Sequence, residues 1–297
     1  MRGALTTVAV GLVLALTACG SGTVTAPKPV AGVAPVPELI AQLPPELART
    51  KVLPGASPMS TAPLYFLGED AQTPTGLVIE LIDNAAAHLG LTVEWRQIPY
   101  AGLVPAMSAG QVEVAGAQFS PTRTNLDAAN IVTLYRSSTS LLTRTPDVGT
   151  FAEPLAVCGR ALAVSRGSAP DLAVAKGLGE ECGAAAQPPP TIQQFGSAGD
   201  AQVALRAGRV DAFVLSTASC QYAHDTYPQI FDIARKGEFS SRAAGVAFAK
   251  QGTALAELFR KAFQAGIDDG SSAQILARWG ASDQSVPRAE LNVPVGV

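Results

Sequence analysis

Cys19 has the clearest chemistry in the sequence. It follows Leu16-Thr17-Ala18, the pattern of a bacterial lipobox, in which small residues fit the signal peptidase and the cysteine thiol takes a diacylglycerol. Met1-Arg2 supplies a short positive start. The apolar run from Ala4 to Leu16 is shorter than the roughly 20 residues that a membrane span needs. Residues 1–18 therefore read as a lipoprotein signal peptide, and the chain as anchored to the cell membrane through Cys19 on its extracytoplasmic face. The alternative is an ordinary secretory signal with an incidental cysteine. Gly20-Ser21-Gly22 behind it has the composition of a flexible tether. Disulfides persist outside the cytoplasm, and Cys158, Cys182 and Cys220 remain. Their spacing fits no zinc motif, and His88 and His224 are the only histidines, so no metal is expected. A Cys158–Cys182 bridge closing a short loop is the expected pairing, with Cys220 a buried thiol; other pairings stay open.

The remaining polar residues do not assemble into a catalytic pattern. Glu69, Asp70 and Glu80 are the acid/base candidates, but the first two read as a solvated turn and the third as a helix residue facing solvent or a neighbour. There is no Gly-x-Ser-x-Gly elbow and no Cys/His pairing. His224 reads as a surface histidine. No catalytic residue and no cofactor are expected. A net charge of -3 and a pI near 5.5 provide no basic field for nucleic acid.

These residues must be held by a chain of 297 residues, 47% hydrophobic, enough for one large or two medium domains. Pro27, Pro29, Pro35, Pro37, Pro44 and Pro45 mark residues 19–48 as an extended, mostly disordered linker, and residues 281–297 read as a loose C-terminal tail. Between them strands and helices alternate. Strands are expected at Pro63–Leu67, Leu91–Trp95, Val112–Ala117, Ser138–Thr143, Ala161–Ser165 and Val210–Leu215. Helices are expected at Leu77–Leu89, Leu103–Ala109, Ala198–Ala207, Leu255–Ala265 and Ser271–Trp279. That alternation is the mark of an α/β architecture with largely parallel sheets.

An ordered set of short motifs then resembles the family 3 extracellular solute-binding proteins. Gly76-Leu77-Val78-Ile79-Glu80-Leu81 with Leu89-Gly90-Leu91 resembles the family's opening. Pro99 to Ala106, Gly110-Gln111-Val112-Glu113, Tyr135 to Leu142, Gly208-Arg209-Val210-Asp211-Ala212, Asp269-Gly270 and Ala277-Arg278-Trp279-Gly280 follow in the family's order. The resemblance implies a two-lobed periplasmic-binding-protein fold (type II-like) with the lobes joined by two hinge strands. Lobe 1 would be residues 49–142 plus 244–280, and lobe 2 residues 143–243. A monomer would close on a small polar solute in its cleft and dock on the permease subunits of an ABC importer.

The same resemblance implies where the ligand sits. Thr61, Tyr100, Gln118, Ser120 and Thr122 would line it from lobe 1, with Tyr100 as a covering ring. Ser168 would present an anion-holding loop at a helix start, and Ser216 falls where the family places an acid for the ligand's ammonium group. Counted without gaps, Asn125 falls where the family has an arginine for the ligand's carboxylate; a small gap puts Arg123 there instead, and both placements stay open. With both charged anchors altered, an amino acid or a less charged polar solute fits equally. The rival functions are a sensor lipoprotein of the same fold, an extracytoplasmic lyase or transglycosylase built on it, and a degenerate member without ligand.

Overall fold

The computed structural model describes residues 32–295, apart from Gly167; Cys19 and the signal segment lie outside the described residues. In chain order the elements are α1 (Pro37–Ile40), α2 (Pro45–Thr50), β1 (Val52–Ser57), β2 (Ser60–Thr61), β3 (Tyr65–Leu67), β4 (Pro74–Thr75), α3 (Leu77–His88), β5 (Thr92–Gln97), α4 (Tyr100–Ser108), β6 (Val114–Phe119), α5 (Arg123–Ala128) and β7 (Ala129–Arg144). There follow α6 (Val148–Phe151), β8 (Ala161–Ser165), α7 (Ala169–Ala184), β9 (Thr191–Phe195), α8 (Ala198–Arg206), β10 (Ala212–Ser216), α9 (Thr217–Thr226), β11 (Phe231–Ala249), α10 (Thr253–Asp268), α11 (Ser271–Arg278) and β12 (Ser285–Leu291).

The first correction concerns the expected linker. Leu39, Leu43 and Leu47 recur every fourth residue and are all buried in the core of the first lobe. Of the prolines that suggested an extended chain, Pro37 and Pro45 stand at the starts of α1 and α2, where a missing N–H costs nothing; residues 19–31 of the expected linker lie outside the described residues. The segment is pinned further by the Val36 N–H, which donates to the His88 carbonyl at 2.7 Å. The second correction concerns the tail. Residues 285–291 form β12, which pairs antiparallel with β7, and the Asn292 side chain accepts from Ile131 N–H while donating to Asn130.

Two lobes are organised around β7 and β11, which run antiparallel to each other along their length. In the first lobe β5, β1 and β6 are parallel neighbours, and β6 pairs with β11. In the second, β10 pairs with β7, and β8 and β9 continue in parallel. On its other edge β7 pairs with β12 at Val132–Tyr135 and with β10 at Thr139–Leu142, so it changes lobe between Tyr135 and Thr139. Leu142, the expected end of lobe 1, pairs with Phe213 and Ile233, on the second lobe's side of that change. The second-lobe strands alternate cleanly: Leu162, Val164, Ala212 and Val214 enter one core layer, Ala163, Phe213 and Leu215 the opposite one. Both faces are covered, as parallel strands require.

Cys158 and Cys182 form a disulfide that ties the loop before β8 to the end of α7, and Cys220 is a buried free thiol. Among the described residues no helix is long and apolar enough to cross a membrane.

Candidate ligand-binding cleft

In both lobes the parallel strands end at the seam between them. In open α/β sheets that is where ligands bind, because the loops after the strands converge there. β1 runs out toward Met59 and Thr61, β6 toward Ser120, β8 toward Ser168 and β10 toward Ser216.

The residues expected from the sequence occupy these ends with different degrees of freedom. Tyr100 opens α4 and is 44% exposed. Its ring stacks on Phe119 at 5.2 Å and its hydroxyl donates to the Gln118 carbonyl at 3.4 Å, so one ring face is open while the hydroxyl is tucked in. Burial of that end, with Tyr65 nearby, pushes its pKa up to about 12. Thr122 is the N-cap of α5 and its hydroxyl accepts from Asn125 N–H. Arg123 is exposed on the first turn of that helix. Asn125 is half-buried, and its amide donates to the Ser120 carbonyl at 2.9 Å. Across the seam Ser168 is the N-cap of α7 and Ser216 that of α9. The Ser216 hydroxyl is engaged locally, accepting from Ser219 N–H and donating to the Ser219 hydroxyl.

The structure adds residues that sequence reasoning passed over. Tyr65 is buried, and burial raises its pKa; a hydrogen bond from the Thr61 side chain acts against this, and the nearby Asp171 charge adds to it. Tyr135 is 1% exposed, its hydroxyl finds no hydrogen-bond partner among the described residues, and burial beside Tyr65 drives its pKa strongly upward. Asp171, 8% exposed, lies in the first turn of α7. Burial lifts its pKa to about 6, against the Ser168 side-chain hydrogen bond and the positive charge of Arg242 on β11. The Tyr65 phenol of lobe 1 thus lies near enough to Asp171 of lobe 2 to feel its charge, and it acts in turn on Tyr100 and Tyr135. Tyr65 lies in an apolar run that reads as a plain strand, and Tyr135 opens the segment, Tyr135 to Leu142, that resembles a family motif without marking it as a site. Asp171 had a signal: Ser168-x-x-Asp171 is a helix-capping pattern, though nothing in it announces burial.

The candidate acid/base groups are occupied elsewhere. Asp70 closes its own turn by accepting from the Gln72 and Thr73 N–H groups and the Thr73 hydroxyl, which hold its pKa down to about 2. Glu80 pairs with Arg278 at 2.7 Å. His224 contacts the Phe231 carbonyl at 3.1 Å. No cluster of three or more potential metal ligands occurs among the described residues.

Comparison with known proteins agrees with this geometry. The chain is 25% identical over 259 residues to the arginine-binding protein ArgT of Corynebacterium glutamicum, covering 87% of this chain and 84% of the relative. An ancestral arginine-binding protein solved with arginine superposes with a TM-score of 0.66 at 22% identity, covering 77% of this chain and 98% of that one. An ancestral amino acid-binding protein described as a precursor of cyclohexadienyl dehydratase gives a TM-score of 0.67 at 18% identity, covering 79% and 97%. These structures share the two-lobed fold. The model of the bacterial extracellular solute-binding proteins, family 3, matches residues 56–282, and the chain belongs to that family.

Proposed function

We propose that this protein is the capture subunit of an ABC importer, lipid-anchored through Cys19, and that it closes its two lobes on an amino acid or a related small polar solute. The observation that carries the reading is the seam itself: Tyr100, Ser120, Ser168 and Ser216 stand at or just past the carboxyl ends of both sets of parallel strands, and the Tyr65 phenol lies within reach of the Asp171 charge. That is a site for binding and orienting a polar molecule, because phenols donate or accept as the ligand demands. The arginine-binding relative supports an amino acid as the solute class. The occupied states of Asp70, Glu80 and His224 support a binder over an enzyme.

In this reading the lobes pivot where β7 passes Arg136–Ser138 and β11 passes 239–243, and ligand drives closure only to the extent that it binds the closed form better than the open one. Thr122 caps α5 and Asn125 stands third in that helix, which supports Asn125 rather than Arg123 in the carboxylate slot. The protein acts as a monomer that docks on membrane permease subunits.

The test is a thermal-shift and calorimetric panel of L-amino acids, amides, polyamines, sugars and osmolytes on the purified protein. A ligand at a hundred times its Kd stabilises by about 2.7 kcal/mol, a readily measured rise in melting temperature. Stabilisation by amino acids or their close relatives supports the reading; a flat response across the panel refutes it.

A further inference from the structure

Helix α9 belongs to the second lobe by its place in the chain, yet its faces serve different lobes. Cys220 and Ala223 enter a core of the second lobe, whereas Ala218 is buried in the core of the first. Ala218, Gln221, Tyr222 and Asp225 recur at the three- and four-residue steps that share one face of a helix, and that stripe is turned to lobe 1. The Tyr222 ring lies 5.9 Å from Phe66, which meets Trp279 edge-on at 5.7 Å. A Cβ added to Gly280 would touch the Gln221 Cγ at 3.4 Å. Farther along, Tyr222, Asp225 and Thr226 line a cavity of about 260 Å3 together with Arg278, Trp279 and Gly280 of lobe 1. A carboxylate of one lobe and a guanidinium of the other thus border the same space.

The start of α9 is fixed to the crossing strands. Thr217 has no need to cap its own helix, because the Ser216 hydroxyl already accepts from Ser219 N–H. Its hydroxyl lies instead 2.7 Å from Ser138 and 2.7 Å from Ser140 on β7, and Ser140 accepts from the Gly237 N–H of β11 at 2.8 Å. Thr217 and Ser140 are both buried, and a buried hydroxyl needs its partner. Ser138 stands where β7 changes lobe. Because Cys220 and Ala223 hold α9 to lobe 2, parting the lobes strips its other face from lobe 1.

We infer that α9 is an interlobe strap: its stripe, pinned to the hinge by Thr217, holds the lobes together without touching the solute and so sets the affinity for whatever solute the cleft takes. The effect on affinity rests on the solute-binding reading above; the holding of the lobes does not. A protein binds more weakly in proportion to the fraction of it that is binding-competent, whatever the ligand. Loss of one aromatic pair or one buried hydrogen bond shifts such an equilibrium roughly two- to tenfold.

The experiment takes wild type, Tyr222→Ala, Thr217→Val and Thr217→Ser through small-angle scattering without ligand and calorimetry with each panel solute that binds. Tyr222→Ala and Thr217→Val are expected to enlarge the radius of gyration and to weaken every ligand by one common factor, about two- to tenfold. Thr217→Ser keeps the hydroxyl and is expected to match wild type in both measurements. Tyr222 is only half-buried, so its variant decides the matter even if Thr217→Val does not fold. Scattering of Tyr222→Ala identical to wild type overturns the inference and leaves the solute-binding reading standing. A loss of affinity that differs from ligand to ligand overturns it too, since Tyr222 would then touch the solute. If nothing in the panel binds, the solute-binding reading falls, and the scattering alone upholds or overturns the strap.

Discussion

Tyr135→Phe should raise the stability of the ligand-free protein, an outcome that loss of packing does not produce. The Tyr135 ring is 1% exposed and its hydroxyl is unpartnered among the described residues. A buried polar group left unsatisfied costs about 1–3 kcal/mol, and phenylalanine removes the hydroxyl while keeping the ring. With an unfolding entropy of about 2.1 cal/mol/K per residue, the ligand-free melting temperature should rise by roughly 2–5 °C. Differential scanning calorimetry of both ligand-free proteins reads the effect. A variant less stable than wild type would refute the reasoning: the hydroxyl would then be satisfied within the fold.

Three further outcomes follow from the packing and the electrostatics. A Cβ at Gly245 would stand 1.9 Å from the Val132 carbonyl oxygen and 2.8 Å from the Thr133 Cα, so Gly245→Ala must push β11 off β7. It should cost at least about 3 kcal/mol by denaturant titration, whereas Gly177→Ala, with open space around it, should gain about 0.5–1 kcal/mol. Asp83 has its pKa pushed up to about 7 by burial, against the hydrogen bond from the Trp95 indole and with the charge of Glu80 adding to the rise. Because the folded value is raised above the unfolded one of about 3.9, the folded state binds the proton more tightly; the stability is complete below about pH 4 and is lost as pH rises through about 7. Asp83→Asn should therefore match wild type near pH 4 and exceed it at pH 8 by at most about 4 kcal/mol, and equal differences at both pH values would argue against a buried ionisation. Phe66, which packs on Trp279 at 5.7 Å and across the seam on Tyr222 at 5.9 Å, acts as a clasp between lobes. An aromatic pair is worth about 0.5–1.5 kcal/mol, so Phe66→Ala should shift the ligand-free population toward open forms roughly two- to tenfold, seen as a larger radius of gyration in solution scattering. Identical scattering curves would remove the clasp.

Much of the framework was legible in the residues. β8 lies at Ala161–Ser165 as the pattern indicates, α3 ends within a residue of the expected place, and Cys158–Cys182 is the pairing that was expected among those left open. These features are local: periodicity, stop signals and a short loop need no knowledge of distant chain. β1, at Val52–Ser57, escaped because Pro54-Gly55 interrupts it. Gly55 is required there by contact with its neighbours, since a Cβ would meet Val93 at 2.7 Å and Trp95 at 3.1 Å, and only the fold creates that contact. α7 escaped because Gly177, Gly179 and Gly183 blur its apolar face.

The sequence by itself determined the alternating α/β framework and carries the lipobox-like motif at Cys19. Only the tertiary structure decided that Leu39, Leu43 and Leu47 are core, that residues 285–291 are a strand, and that Tyr65, Tyr135 and Asp171 are buried. The physical reason is the same in each case. A leucine in a proline-rich stretch, an acid after a serine and a tyrosine in a strand each have an ordinary local role. Whether water reaches them is set by segments a hundred or more residues away, folded over them by β7 and β11.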